Sequence, residues 1–440
     1  MASTAFLLDS NPPTNNYYAK LVSDQKYALI PRLELENGQS LNDCPIAYQT
    51  WGSLNKDGNN ALVVCHALTG SSDVSDWWNP LIGPGKALDP RYYFIFCGNV
   101  LGSPYGSASP VTTNPATGRC YGTDFPSTTI RDDVHAHKLV LDALGVCQIA
   151  AVIGGSMGGM ATLEWPLCTP QGYVQNIIPI ATAADHSAWG ISWAETQRQC
   201  IYADPKFKDG SYEPKPDSQP SAGLAAARMI AMLTYRSCTS FDSRFGRKPQ
   251  RHPKTANSTQ LDISRPNPSK PVGDLQAKTR REKIAFSAQG YLHYQGEKFI
   301  KRFDANCFLH LSNKMDSHDV TRRRTTKSGP CALKEVLGNI PPRALVVSVE
   351  SDALFVPEQQ ERLAACLPEA SLETLESSDG HDGFLLEFEQ LDRLIQTKLK
   401  TALPHLYSSV VPSNLISASK ATQNITVTEK SLVGETDGWW

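Results

Sequence analysis

The stretch "IAAVIGGSMGGMATLEW" (149–165) decides how the rest of the chain is read. An apolar run ends in two glycines, a serine follows, and the next residues can begin a helix. Strand, sharp turn and helix is the context in which the serine of a G-x-S-x-G pattern is held up as a nucleophile. Here that serine is Ser156. Gly154 and Gly158 would let the backbone close around it, and Gly159 removes another side chain from the bend. The competing reading is a glycine-rich bend that happens to contain a small residue. The rest of the chain has to separate the two.

Outward from this turn the pattern alternates. The runs "ALVVCHAL" (61–68), "YYFIFCGNV" (92–100), "VQNIIPIAT" (174–182) and "ALVVSVES" (344–351) read, like 149–155, as buried parallel strands. The segment "TTIRDDVHAHKLVLDALG" (128–145) reads as a helix, with threonine before its first turn, Asp132 and Asp133 in that turn, and Gly145 as its stop. Ahead of them, "YALIPRLELENGQSLNDCPIAYQTWG" (27–52) reads as two strands joined near Asn37-Gly38. Such alternation predicts a mostly parallel sheet with helices on both faces.

The alternation stops between about 185 and 330. There "AWGISWAETQRQCIYA" (188–203) and "GLAAARMIAMLTYRS" (223–237) carry helical periodicity. The expected organisation is one α/β domain in two parts, 25–184 and 331–405. A helical cap, 185–330, interrupts it. The polar, proline-rich and basic stretch 247–283 is expected to be a solvated loop, and 1–24 and 406–440 to be loose termini.

Composition narrows the classes of function. The chain has 440 residues, 40% of them hydrophobic, and a formal net charge of −2. Such a balance gives no reason to expect nucleic acid or an anionic membrane as partner. No apolar run approaches the roughly 20 residues that span a bilayer. The eleven cysteines are scattered singly, which fits reduced thiols in a cytoplasmic protein. Cys65, Cys97 and Cys147 lie in or beside apolar runs, where a free thiol is expected to behave as a small hydrophobe. His135 and His137, at i and i+2 of a helix, point to different faces and make a poor metal pair. No metal site is expected.

A serine hydroxyl is a weak nucleophile without a base to take its proton and a third group to orient that base. In α/β-hydrolase folds these follow in the order Ser, Asp or Glu, His. Asp352 lies just beyond the run 344–351, with Glu350 as a competitor. His381 lies in the loop after "LETLE" (372–376). Both positions fall beyond strand carboxyl ends, where chemistry collects in such sheets. The oxyanion donors would be the backbone N–H groups of Met157, directly after the serine, and of Leu68 in "CHALTGSSDVSDWW" (65–78). His66 precedes the serine, the wrong order for the base, and is read as structural.

The segments "HALTGSSDVSDWW" (66–78), "FPSTTIRDDV" (125–134), "GGSMGGMATLEWP" (154–166), "GLAAARMIAMLTYRS" (223–237), "FDANCFLHLSNKMDSHDV" (303–320) and "GHDGFLLE" (380–387) resemble the homoserine O-acetyltransferases, in particular the fungal enzymes of methionine biosynthesis. The resemblance runs from about residue 25 to about 405. It implies an α/β-hydrolase fold and acetyl-CoA as co-substrate with no permanently bound cofactor. L-homoserine would be the acceptor. It also implies a homodimer with cap helices in contact. On matching positions it implies Ser156 as nucleophile, Asp352 as orienting acid and His381 as base, with Arg228, Tyr235 and Asp382 holding the amino acid. Arg228 offers a planar fork for a carboxylate, and Asp382 can pair with an ammonium. Related enzymes acylate serine or a secondary-metabolite alcohol, or use succinyl-CoA, and esterases share the fold. These alternatives differ in the acceptor or the donor rather than in the nucleophile.

Overall fold

A computed structural model describes residues 4–8, 16–250 and 285–408. Most of the expected loop 247–283 and of the C-terminal tail, and part of the N-terminus, lie outside the described residues. Nine strands form one sheet: β1 (Phe6–Leu8), β2 (Lys26–Glu34), β3 (Ser40–Trp51), β4 (Ala61–Cys65), β5 (Phe94–Gly98), β6 (Ile149–Gly155), β7 (Ile177–Ile180), β8 (Leu345–Val349) and β9 (Ser371–Leu375). Their spatial order is β1-β2-β3-β5-β4-β6-β7-β8-β9. β1, β2, β3 and β5 are joined antiparallel, and from β5 through β4 to β9 every neighbour is parallel.

The strand period of two sorts side chains to the two faces. In β4, Val63 joins one core while Leu62 and Val64 join the other. The first core lies under the helices Ile130–Ala143 and Met157–Cys168 and includes Val140 and Trp165. The second lies under the helix Phe388–Ala402 and takes in Leu391, Ile395 and Leu399, with Trp77 and Trp78 beside them. Because both faces are covered, the central strands read as unbroken apolar runs rather than as alternating ones.

Helix 130–143 shows why the local signals were readable. Thr129 caps it by accepting from the Asp132 N–H, and the Asp132 carboxylate accepts from the Thr129 N–H at 2.7 Å. Such a reciprocal box satisfies two of the first-turn donors. Gly145 ends the turn that follows with φ +87°. His135 is exposed and His137 buried, as the spacing predicts.

Between β7 and β8 the chain leaves the sheet for a long helical segment. Its main helices are Ala188–Tyr202, Ser221–Tyr235, Ser287–Arg302 and Ala305–Asp316. The second packs against the first and third, and the first also packs against the fourth. All eleven cysteines are free. Cys65 and Cys97 are buried, but Cys147 is exposed. It precedes β6 in a turn whose N–H bonds to Gly58, so its neighbours' hydrophobicity did not carry it inside. Among the described residues, no helix is long and apolar enough to cross a membrane.

Candidate active site

Ser156 sits between β6 and the helix Met157–Cys168 with φ +58° and ψ −124°. A side-chain-bearing residue in such a conformation costs on the order of 1–3 kcal/mol and persists only where its surroundings fix it. Here they do. The Ser156 N–H donates to Ile180 O at 3.0 Å, and Ser156 O accepts from Thr182 Oγ1 at 2.8 Å and from the Met160 N–H at 3.1 Å. The glycines allow the close approach. A Cβ on Gly158 would lie 2.1 Å from the Cys65 carbonyl oxygen, and one on Gly154 would lie 2.4 Å from the Gly158 carbonyl oxygen.

The His381 Nδ1–H donates to Asp352 Oδ2 at 2.7 Å, with both side chains buried. The other Asp352 oxygen accepts from the N–H groups of Leu354 and Phe355 at 2.8 and 2.9 Å, which anchors the carboxylate at the end of β8. Glu350, the competitor in sequence, is exposed. The His381 ring is packed between Phe355, stacked at 5.1 Å, and Phe384, edge-on at 5.3 Å.

Ser156, His381, Asp382, Tyr235 and Leu68 line one cavity, together with Trp193 and other residues of the helical segment. Met157 opens its helix, so its N–H is among the first-turn donors that have no intrahelical acceptor. Leu68 lies in the Ala67–Gly70 turn, closed by the Gly70 N–H donating to Ala67 O at 2.9 Å.

His66 is bonded to backbone at both ring nitrogens. Its Nδ1–H donates to Ala67 O at 2.8 Å and its Nε2 accepts from the Val100 N–H at 3.2 Å. Burial pushes its pKa down to about 4, so the ring is neutral.

Arg228 is 1% exposed. Its guanidinium lies 5.7 Å from the Tyr235 ring centre and 5.0 Å from that of Phe299. The Tyr235 ring lies 6.2 Å from that of His381. Asp382 faces the cavity but already has a cationic neighbour, with Arg236 Nε 2.8 Å from its Oδ2. Arg236 was not singled out in the sequence. It stands directly after Tyr235 in "TYRS", and only its partners on a distant turn distinguish it from a surface arginine.

A strained serine between parallel strand and helix, with a buried Asp–His pair arriving from later strands, places the chain among the α/β hydrolases. The family model described as "alpha/beta hydrolase fold" accordingly matches residues 60–388. The chain is 42% identical to a homoserine O-acetyltransferase of Cryptococcus neoformans, covering 97% of both chains. It is 45% identical to that of Schizosaccharomyces pombe, covering 89% of both. The chain belongs to the homoserine O-acetyltransferase family. Among solved structures, an acetylester hydrolase from Corynebacterium glutamicum superposes with a TM-score of 0.71 at 24% identity, over 89% of this chain and 100% of that one. That likeness shows the fold alone, and a fold shared by esterases and transferases does not name the acceptor.

Proposed function

We propose that this protein transfers the acetyl group of acetyl-CoA to the side-chain hydroxyl of L-homoserine, through an acetyl-Ser156 intermediate, in methionine biosynthesis. The observation that carries the proposal is the 2.7 Å Asp352–His381 contact, with Ser156 and Asp382 on the wall of the same cavity.

In the first half-reaction His381 Nε2 takes the Ser156 proton as Oγ attacks the thioester carbon. Negative charge gathers on the carbonyl oxygen, and the N–H groups of Leu68 and Met157 receive it. The tetrahedral intermediate collapses, the carbon–sulfur bond breaks, and CoA leaves as the thiol with the proton from His381. In the second half, His381 takes the proton of the homoserine hydroxyl, and that oxygen attacks the acetyl carbon. The bond to Ser156 Oγ then breaks, and His381 returns the proton to the serine. Asp352 holds the imidazole in the correct tautomer and stabilises the imidazolium formed in both halves.

Arg228 and Tyr235 bind the carboxylate side of the acceptor, and Asp382 binds its ammonium. A zwitterion fixed at both ends presents its hydroxyl to His381 repeatedly, which is how an acceptor outruns water. The helical segment 185–330 acts as a cap that admits the thin arm of CoA and limits solvent. The protein works in the cytoplasm as a homodimer with its cap helices in contact. Exposed Trp189 and Leu233 on those helices supply apolar surface for that contact.

The test is a thiol-release assay with acetyl-CoA. Release is expected to be slow alone and fast with L-homoserine, and Ser156→Ala is expected to form no acetyl-enzyme. Equal release with L-serine, or release indifferent to any amino acid, would refute the homoserine assignment.

A further inference from the structure

Arg236 follows directly on the helix Ser221–Tyr235, while Asp379, His381 and Asp382 share one turn after β9. The arginine side chain is 3% exposed. Its Nη1 lies 3.0 Å from Asp379 Oδ1 and its Nε lies 2.8 Å from Asp382 Oδ2. One guanidinium therefore pairs with carboxylates that stand on both sides of His381 in the chain.

Neighbouring groups tighten the same junction. Ser240 Oγ donates to Asp379 Oδ1, and Ser237 Oγ donates to Ser378 O. Gly380 has φ +71°, and a Cβ there would lie 2.6 Å from the Ser237 nitrogen. On the opposite side Ser351 Oγ accepts from the Gly380 N–H at 2.9 Å and donates to Ser377 O at 2.6 Å. The turn that bears His381 is thus held from the end of β8 on one side and from the helical segment on the other. Burying an arginine with two carboxylates is an expensive way to gain stability alone, since apolar packing often does as well. A planar fork gives something packing does not, which is fixed geometry between two carboxylates.

We propose that Arg236 is a positioning residue for the acceptor half of the reaction. It fixes the Asp382 carboxylate relative to the His381 imidazole, so that an ammonium bound at one places the hydroxyl at the other. This rests on the proposed role of Asp382, and makes the inserted helical segment, rather than the sheet, the part that sets the acceptor geometry.

The test uses the full chain carrying Arg236→Gln or Arg236→Lys. Acetyl-enzyme formation is followed by mixing with acetyl-CoA alone and measuring the thiol burst and the acetylated serine by mass. Steady-state turnover is then measured against L-homoserine. Losing a charge-assisted contact predicts a rise in the homoserine KM of about tenfold or more for Arg236→Gln. The burst rate should fall by a smaller factor, and Arg236→Lys, which keeps the charge but loses the planar fork, should raise the KM by an intermediate factor. Equal losses in both halves with the homoserine KM unchanged would overturn the proposal, as would no change in either half. If Arg236→Gln does not fold, Arg236→Lys decides alone. A raised KM with a near-normal burst supports the role, and an unchanged KM overturns it. Wild-type protein that forms no acetyl-enzyme, or turns over without regard to homoserine, would instead remove the proposed function itself.

Discussion

Ser156 shows how a single residue depends on residues that do no chemistry. Its φ of +58° is maintained by bonds to Ile180, Thr182 and Met160, and by the absence of side chains at its neighbours. Gly158→Ala would place a Cβ where the Cys65 carbonyl stands, 2.1 Å away, so either the helix or β4 must give way. A displacement of about 1 Å near reacting groups can cost on the order of a hundredfold in rate. Overpacking adds about 1–3 kcal/mol of destabilisation. The variant is expected to lose turnover by at least that order and to melt earlier, as read by steady-state kinetics and a thermal scan. Near-normal turnover would mean that the turn tolerates what its geometry forbids.

At the scale of elements, helix Ala305–Asp316 is tied to helix Ile130–Ala143 by one buried pair. Lys314 Nζ donates to both Asp133 oxygens at 2.8 Å and to Leu101 O at 2.7 Å. Burial pushes the Asp133 carboxyl up to about 6 and the Lys314 amine down, and each partner's charge opposes the other's shift. Removing one member leaves a buried charge uncompensated, so Lys314→Met is expected to cost about 3–5 kcal/mol. Asp133→Asn combined with Lys314→Met should recover a large part of that loss. Denaturant melts of the two singles and the double measure the coupling, and strict additivity would show that the pair does not hold the helices together.

This pair also marks the limit of what was legible. Strands β2 to β9, the capped helix 130–143 and the helices 188–202 and 221–235 announced themselves through period, caps and glycine stops. Ser156, Asp352 and His381 were singled out by order and strand context. Lys314 and Arg236 carried no such signal, because each is defined by partners more than a hundred positions away and not by its neighbours. β1 was missed for a related reason, since three residues are too few to show a period. Arg228 was legible as a residue type, but its burial against Phe299 from another helix was not.

Among the described residues, desolvation keeps four histidine rings neutral: the buried His66, His137 and His318, and the half-buried His310. Desolvation lowers the pKa to about 4 for His66, His137 and His318, and to about 3 for His310. The unfolded chain takes up these protons near pH 6.5 and the native state does not, so the stability they confer is present above 6.5. It is lost as pH falls from there toward 4. Each histidine contributes a slope of at most about 1.4 kcal/mol per pH unit in that window. The midpoint of thermal unfolding is expected to drop between pH 7 and pH 5, before most carboxylates titrate. A flat melting profile over that interval would show that these rings are already protonated or that the fold relaxes around them.

The placement of the helical segment between β7 and β8 has a consequence for synthesis. Ile180 pairs with Val347, and the whole helical segment must be made between them. A chain emerging from the ribosome presents β6, the serine turn and β7 as one side of a sheet whose next strand does not yet exist. Open strand edges of this kind invite pairing with other chains, and contacts between distant parts of a sequence form slowly. The same connection that separates Asp352 and His381 from Ser156 in the chain therefore leaves the β7 edge exposed while the helical segment is being made. That edge stays open to pairing with other chains until β8 has been made.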